Sequence, residues 1–89
     1  MARVSFTANL QRHLNCPDQT VPGSTVRAVL DHVFATEPLL RSYLLDDQDR
    51  VRRHVAIYVN GDRIADRTRL SDPVKDTDEV FVFQALSGG

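Results

Sequence analysis

Hydrophobic and polar positions alternate cleanly at the start of the chain. In "ARVSFTA", Val4 and Phe6 fall on one face and Arg3, Ser5 and Thr7 on the other, a period of two that predicts a half-buried strand. Pro17-Asp18 marks a turn, and "QTVPG" predicts a short second strand ending at Pro22-Gly23. The period then changes. Val26, Val29, Leu30, Val33 and Phe34 follow at i, i+3, i+4, i+7 and i+8, an apolar stripe that predicts an amphipathic helix. Ser24 is the expected cap, and Pro38 is the expected stop, because the residue before a proline is pushed out of the helical region.

"PLLRSYLL" predicts a short helical turn over one end of the core, and "DDQDRVRRH" a polar, solvated loop. "HVAIYVNGDRIADR" reads as strand, turn, strand, with Asn60-Gly61 tolerating the positive φ of a type I′ hairpin. A connection rich in turn residues, "TRLSDPVKDTDE", leads to a last strand, "EVFVFQAL". One amphipathic helix covers one face of such a sheet, so the other face is left for water or a partner. If Val80 and Val82 point at the helix, Phe81 and Phe83 point away. With Val55, Ile57 and Val59 inward on the neighbouring strand, Ala56 and Tyr58 face outward. Tyr58, Phe81 and Phe83 are therefore expected to form an exposed aromatic patch, the kind of surface that marks docking sites.

Composition narrows the class. Eighty-nine residues suit one domain that hides roughly 60–65% of its unfolded surface. With 42% hydrophobic and 26% charged residues the chain is ordinary for a globular protein, and no apolar run approaches the ~20 residues needed to cross a bilayer. No secretory leader is visible, and the one cysteine, Cys16, fits a reducing cytoplasm. A net charge of −1 offers no general attraction to nucleic acid or to an anionic membrane. Ten of the eleven basic residues are Arg; only Lys75 is Lys.

No ordinary active site emerges. His13, His32 and His54 are scattered, and His13 with Cys16 lacks the second pair a structural zinc site needs, so no metal or bound cofactor is expected. Cys16 has no evident base to activate it. "DDQD" lacks the sixth-position glycine and distal Glu of a calcium loop. Arg50, Arg52 and Arg53 beside three aspartates read as a charged surface.

The ending, "FVFQALSGG", is what remains. Two glycines in the last two positions arise by chance in about one chain in two hundred. Without Cβ atoms, Gly88 and Gly89 can lie in a channel too narrow for other residues. Leu86 to Gly89 spans roughly 14 Å when extended. The Gly89 carboxylate is sterically open. A carboxylate is a poor acyl donor but its adenylate is a good one, and sulfur placed on that adenylate gives a thiocarboxylate.

"LSDPVKDTDEVFVFQALSGG" resembles the C-terminal third of the ubiquitin-like sulfur carriers, which include the molybdopterin synthase small subunit and the thiamine-pathway and cysteine-pathway carriers. Asp78-Glu79-Val80 stands at the family's acidic turn before the last strand, Ser87-Gly88-Gly89 at its tail, and "IYVNG" at its strand-and-turn. Gln84-Ala85 stands where molybdopterin synthase small subunits carry a proline-containing stretch, and Thr77 where the family has Gly, so the pathway stays open. The resemblance implies an α+β, β-grasp fold: a mixed four- to five-stranded sheet on one main helix, residues 1–85, followed by a flexible diglycine tail, 86–89. It implies a carrier rather than an enzyme, with Gly89 as the reacting residue and Leu86, Ser87, Gly88, Phe81, Phe83 and Tyr58 meeting partners. Those partners are a ubiquitin-activating-like adenylyltransferase, which uses the ATP, and a sulfurtransferase or synthase large subunit. Three functions fit: a sulfur carrier, the small subunit of a molybdopterin synthase, or a protein modifier. With only Lys75 to extend a chain, polymeric tagging is disfavoured.

Overall fold

Among the described residues the chain forms five strands: β1 (Ala2–Phe6), β2 (Gln19–Val21), β3 (Val55–Val59), β4 (Asp62–Arg63) and β5 (Glu79–Gln84). Two described helices pack with them, α1 (Val26–Thr36) and α2 (Pro38–Leu44). This computed structural model describes residues 1–7 and 18–84. His13, Cys16 and the tail from Leu86 to Gly89 lie outside the described residues.

The strands form one mixed sheet in the order β2-β1-β5-β3-β4. β1 runs parallel to β5, with Val4 opposite Val80 and Phe6 opposite Val82; the remaining pairs are antiparallel. A parallel pair cannot be closed by a tight turn, and here the helices lie within the long connection that it requires. The expected β-grasp is observed, with the sheet at the upper end of the expected strand number.

All five stripe residues of α1 are buried, packed on Val4, Ile57, Val80 and Val82 of the covered sheet face. Each such side chain contributes roughly 1.5–3 kcal/mol on burial. Pro38 ends α1 as expected: Glu37 leaves the helical region at φ −131°, ψ 75°. Pro38 then opens α2 at a position where its missing N–H costs nothing. Leu40 and Leu44 bring α2 onto the end of the core.

Three local expectations need correction. Thr25, not Ser24, caps α1: its Oγ1 accepts from the Ala28 N–H at 3.1 Å. Ser24 is held instead by its backbone, its carbonyl accepting from the Val74 N–H at 2.9 Å. The segment 46–54 is not simply a solvated loop, because Val51 is buried and bridges Leu45. The second strand of the hairpin, β4, is only two residues long, after which Ile64 turns into the core.

The connection before β5 also does more than join strands. The carbonyls of Leu70 and Asp72 accept from the Arg27 and Val26 N–H groups, at 2.9 and 3.0 Å. Together with Thr25, they satisfy first-turn donors that a helix cannot satisfy itself. Leu70 reaches this position with φ 59°, unusual for a side chain of its size, and is fully buried. Gly23, at φ +147°, permits the close approach of β2 to α1: a Cβ there would lie 2.8 Å from the Val29 backbone nitrogen.

Candidate functional site

The outward side of the sheet is built by the alternation of β3 and β5. Tyr58 is the direct cross-strand partner of Phe81, and Ala56 of Phe83. On its other side, Phe81 faces Ser5 across the parallel ladder. Phe81 and Phe83 are 38% and 42% exposed, while Val80 and Val82, which alternate with them, are completely buried. The two aromatics therefore stand where the sequence pattern puts them, on the face that neither helix covers. Tyr58 shares that face but is half-buried, a correction to its expected exposure. A cross-strand aromatic pair is stabilising in itself.

The two ends of β5 differ. At its start, two short motifs that lie far apart in sequence are joined. The Asn60 N–H donates to the Glu79 carbonyl at 2.8 Å, and the Glu79 N–H donates to Asn60 Oδ1 at 2.9 Å. Asn60 Nδ2 donates to Asp78 Oδ1 at 2.7 Å, and the Lys75 N–H donates to Asp78 Oδ2 at 2.8 Å. The Asp78 carbonyl accepts from the Arg3 N–H at 3.2 Å. These bonds to the ionised form, the one from Lys75 foremost, hold the Asp78 carboxyl below the usual carboxylate range. The Asn60-Gly61 turn has the expected positive φ at both residues, 52° and 86°. Each motif was visible in the sequence, but the bond between them was not, because nothing local records which loops meet.

At its far end, β5 pairs Gln84 with Val55, and the Thr7 N–H donates to the Val82 carbonyl at 3.1 Å. The segment Arg52–Arg53–His54 precedes Val55, so it flanks the point from which the chain continues toward Gly89. Arg53 and His54 are exposed; Arg52 Nε donates to the Ser42 carbonyl at 2.8 Å.

The other candidates prove to be local scaffolding. Asp46 accepts from the Gln48 and Arg50 N–H groups and pairs with Arg50, while Asp49 pairs with Arg41 and Arg27. Asp46 is thus bound within the "DDQD" segment and its flank, while Asp49 ties the segment to α1 and α2. Asp66 accepts from the Arg69 and Thr68 N–H groups at 2.9 and 3.1 Å and from the Ser71 hydroxyl, which together hold its carboxyl down to about 2. Among the described residues no group of His, Cys, Asp and Glu could hold a metal ion, and no helix is long and apolar enough to cross a membrane.

The ThiS family model matches residues 4–89, from β1 through the last glycine. The chain belongs to the ThiS family. It shares the ubiquitin-like sulfur-carrier fold with that family's relatives, which are small carrier or modifier proteins. Small archaeal modifier protein 1 from Methanosarcina acetivorans is 26% identical, with a TM-score of 0.81 over 99% of this chain and 95% of that one. CysO from Mycobacterium tuberculosis is 25% identical, with a TM-score of 0.81 over 97% of this chain and 100% of that one. The structure of the Amycolatopsis orientalis BexX/CysO complex contains a chain of the same fold, 24% identical, with a TM-score of 0.84 over the whole of both chains. No curated protein matches this sequence.

Proposed function

We propose that this ThiS-family chain is a cytoplasmic sulfur carrier whose reacting group is the Gly89 carboxyl. A partner adenylyltransferase uses ATP to convert that carboxylate to an acyl adenylate, releasing pyrophosphate. Hydrosulfide, or a sulfurtransferase persulfide whose S–S bond is then cleaved by a thiol, displaces AMP and leaves a thiocarboxylate that donates sulfur in a biosynthetic pathway. The carrier contributes no catalytic group and binds no cofactor of its own. It presents Leu86, Ser87, Gly88 and Gly89 to the partner, while Phe81, Phe83 and Tyr58 give the adenylyltransferase an apolar surface to grip.

The observation that carries this reading is the extent of the family match, which runs through Ser87-Gly88-Gly89. The open aromatic face supports it, because β5 leads directly from Phe81 and Phe83 toward those residues. Intact-mass measurement of the protein purified from its own host tests it. A species heavier than the free acid by the difference between sulfur and oxygen, absent when Gly89 is deleted, is expected. If only the free acid is found, even after incubation with ATP and a competent activating enzyme, the reading fails.

The likeness to small archaeal modifier protein 1 favours one second reading, in which Gly89 is joined to an amine of a target protein. Conjugates of higher mass that vanish on deletion of Gly89 would distinguish it.

A further inference from the structure

An activated carboxyl is an electrophile, and the nearest amines to any protein's tail are its own. Capture by a lysine or an α-amine gives an amide, which is permanent; an acyl group caught by an imidazole returns to water. The chain holds two such amines, the Lys75 side chain and the α-amine of Met1. Arginine, which supplies every other basic residue, stays protonated at all accessible pH values and does not compete.

Both amines lie at the start of β5, the end opposite Gln84. Lys75 belongs to the turn before the strand, where its carbonyl accepts from the Asp78 N–H at 3.0 Å. β1 runs parallel to β5 with Arg3 opposite Glu79, so Met1 projects beyond that same end. The Met1 α-amine lies 3.5 Å from Asp76 Oδ1, an exposed ion pair at that end. The opposite end, where Gln84 is bordered by Arg52–Arg53–His54, has cations but no amine.

Chain length decides whether this separation matters. From Gln84, five residues reach at most ~17 Å. Five strand steps from Gln84 back to Glu79 already cover about 17 Å, and two more to the level of Met1 bring the span to about 24 Å. Met1 is out of reach. Lys75 is accessible only to a tail that is fully stretched and reversed along the sheet, with the lysine side chain closing the remaining gap. Because Lys75 sits at the limit set by chain length, its effective concentration at Gly89 is low. Residue 53, two positions before the partner of Gln84, lies well within that ~17 Å.

We propose that the placement of Lys75 and Met1 at the far end of β5, with arginine where the tail departs, protects the activated Gly89 from acylating its own chain and reserves it for acceptors on other molecules. The inference rests on Gly89 being the reactive end. In the reaction avoided, an amine nitrogen attacks the acyl carbon, the leaving group (AMP, or a thiol in the test) departs with the bonding electrons, and the amine's proton goes to solvent.

The test installs the electrophile chemically, as a Gly89 thioester made by intein cleavage, in a Cys16→Ser background that removes the one competing thiol. The unmodified arrangement is compared with Arg53→Lys and His54→Lys, both at exposed positions, and with Lys75→Arg, each checked for folding by circular dichroism. Internal amides are read as a species one water lighter than the free acid, with the branch located by peptide mapping. Thioesters with lysine at 53 or 54 are expected to form the internal amide on the order of tenfold faster than the unmodified arrangement, or more. The unmodified thioester should instead hydrolyse. Internal amide at Lys75 or Met1 forming as fast as in the lysine variants would overturn the proposal, as would its absence in both folded lysine variants. No activating enzyme takes part, so failure here is distinct from failure of the sulfur-carrier reading, which shows as a missing thiocarboxylate in host-purified protein.

Discussion

The sheet has two faces made by the same strands and, on β5, by adjacent residues, yet they carry different burdens. Val80 and Val82 are completely buried against α1, whereas Phe81 and Phe83, bulkier and more apolar in area, stand partly in water. If burial alone governed the design, the aromatic residues would be the ones inside. Small β-branched residues let α1 approach the sheet closely, and the large rings are left on the side that neither described helix covers. One face is thus committed to folding and the other is available for contact, so changes on the two faces should separate stability from function.

The largest loss of stability is expected from the committed face. Leu30→Ala removes a completely buried side chain at the centre of the helix–sheet contact and should cost about 2–5 kcal/mol, read from the shift in urea midpoint at constant slope. A cost below about 1 kcal/mol would mean that α1 packs more loosely than its burial implies.

Gly23→Ala should follow. The new methyl would meet the Val29 backbone nitrogen at 2.8 Å, and backbone cannot move aside as a flexible side chain can. Added to the unfavourable φ, this overpacking should cost roughly 1–3 kcal/mol. Gly61→Ala is the control: its φ is also positive, but no atom lies within 4 Å of the added Cβ, so only backbone strain of about 1 kcal/mol applies. Thermal melts of the two variants side by side should rank them in that order.

Asp66→Asn should cost stability chiefly above about pH 4, where the carboxylate is charged. The Asp66 carboxyl is held near 2 in the folded chain against an ordinary 3.8, so its contribution is present above about 3.8 and is lost as the pH falls through 2. In acid titrations of the urea midpoint, the native sequence should therefore lose stability between those values more steeply than the variant. Parallel curves would show that the Arg69, Thr68 and Ser71 contacts do not favour the charged form in solution.

How much of this was legible in advance depends on whether the determining contacts are local. The β1 alternation, the five-residue stripe of α1 and the positive φ of Asn60-Gly61 are properties of neighbouring residues, and each appears in the structure where the pattern puts it. The α1 cap moved by one residue because Ser24 is bonded through its backbone to Val74, fifty residues away. Val51 looked solvated among charged neighbours because its partner Leu45 belongs to another element. Asn60 and Asp78 each belonged to a recognisable motif, but their bond depends on which two loops the sheet order brings together. The open face was predictable because alternation on adjacent strands fixes it; the half-burial of Tyr58 was not, because it depends on what surrounds the ring.

A smaller effect on stability than on engagement is expected at Phe83→Asp, and there the comparison is most exposed to refutation. Phe83 is 42% exposed and opposite the small Ala56, so removing its ring withdraws less buried area than at the fully buried Leu30, and the carboxylate remains in water. The loss should stay below that of Leu30→Ala, part of it the lost fit of an aromatic residue on a pleated surface. Adenylation by a matched activating enzyme should fall much further, because a charge placed within an apolar contact must be desolvated without a partner when the two proteins meet. Adding Phe81→Asp should deepen the functional loss, with folding again followed by urea denaturation. Should the single variant unfold outright, the open face would be part of the core after all. Should it stay folded and be adenylated at the native rate, the aromatic surface would have no part in engaging the activating enzyme, and the exposure of these rings would need another cause.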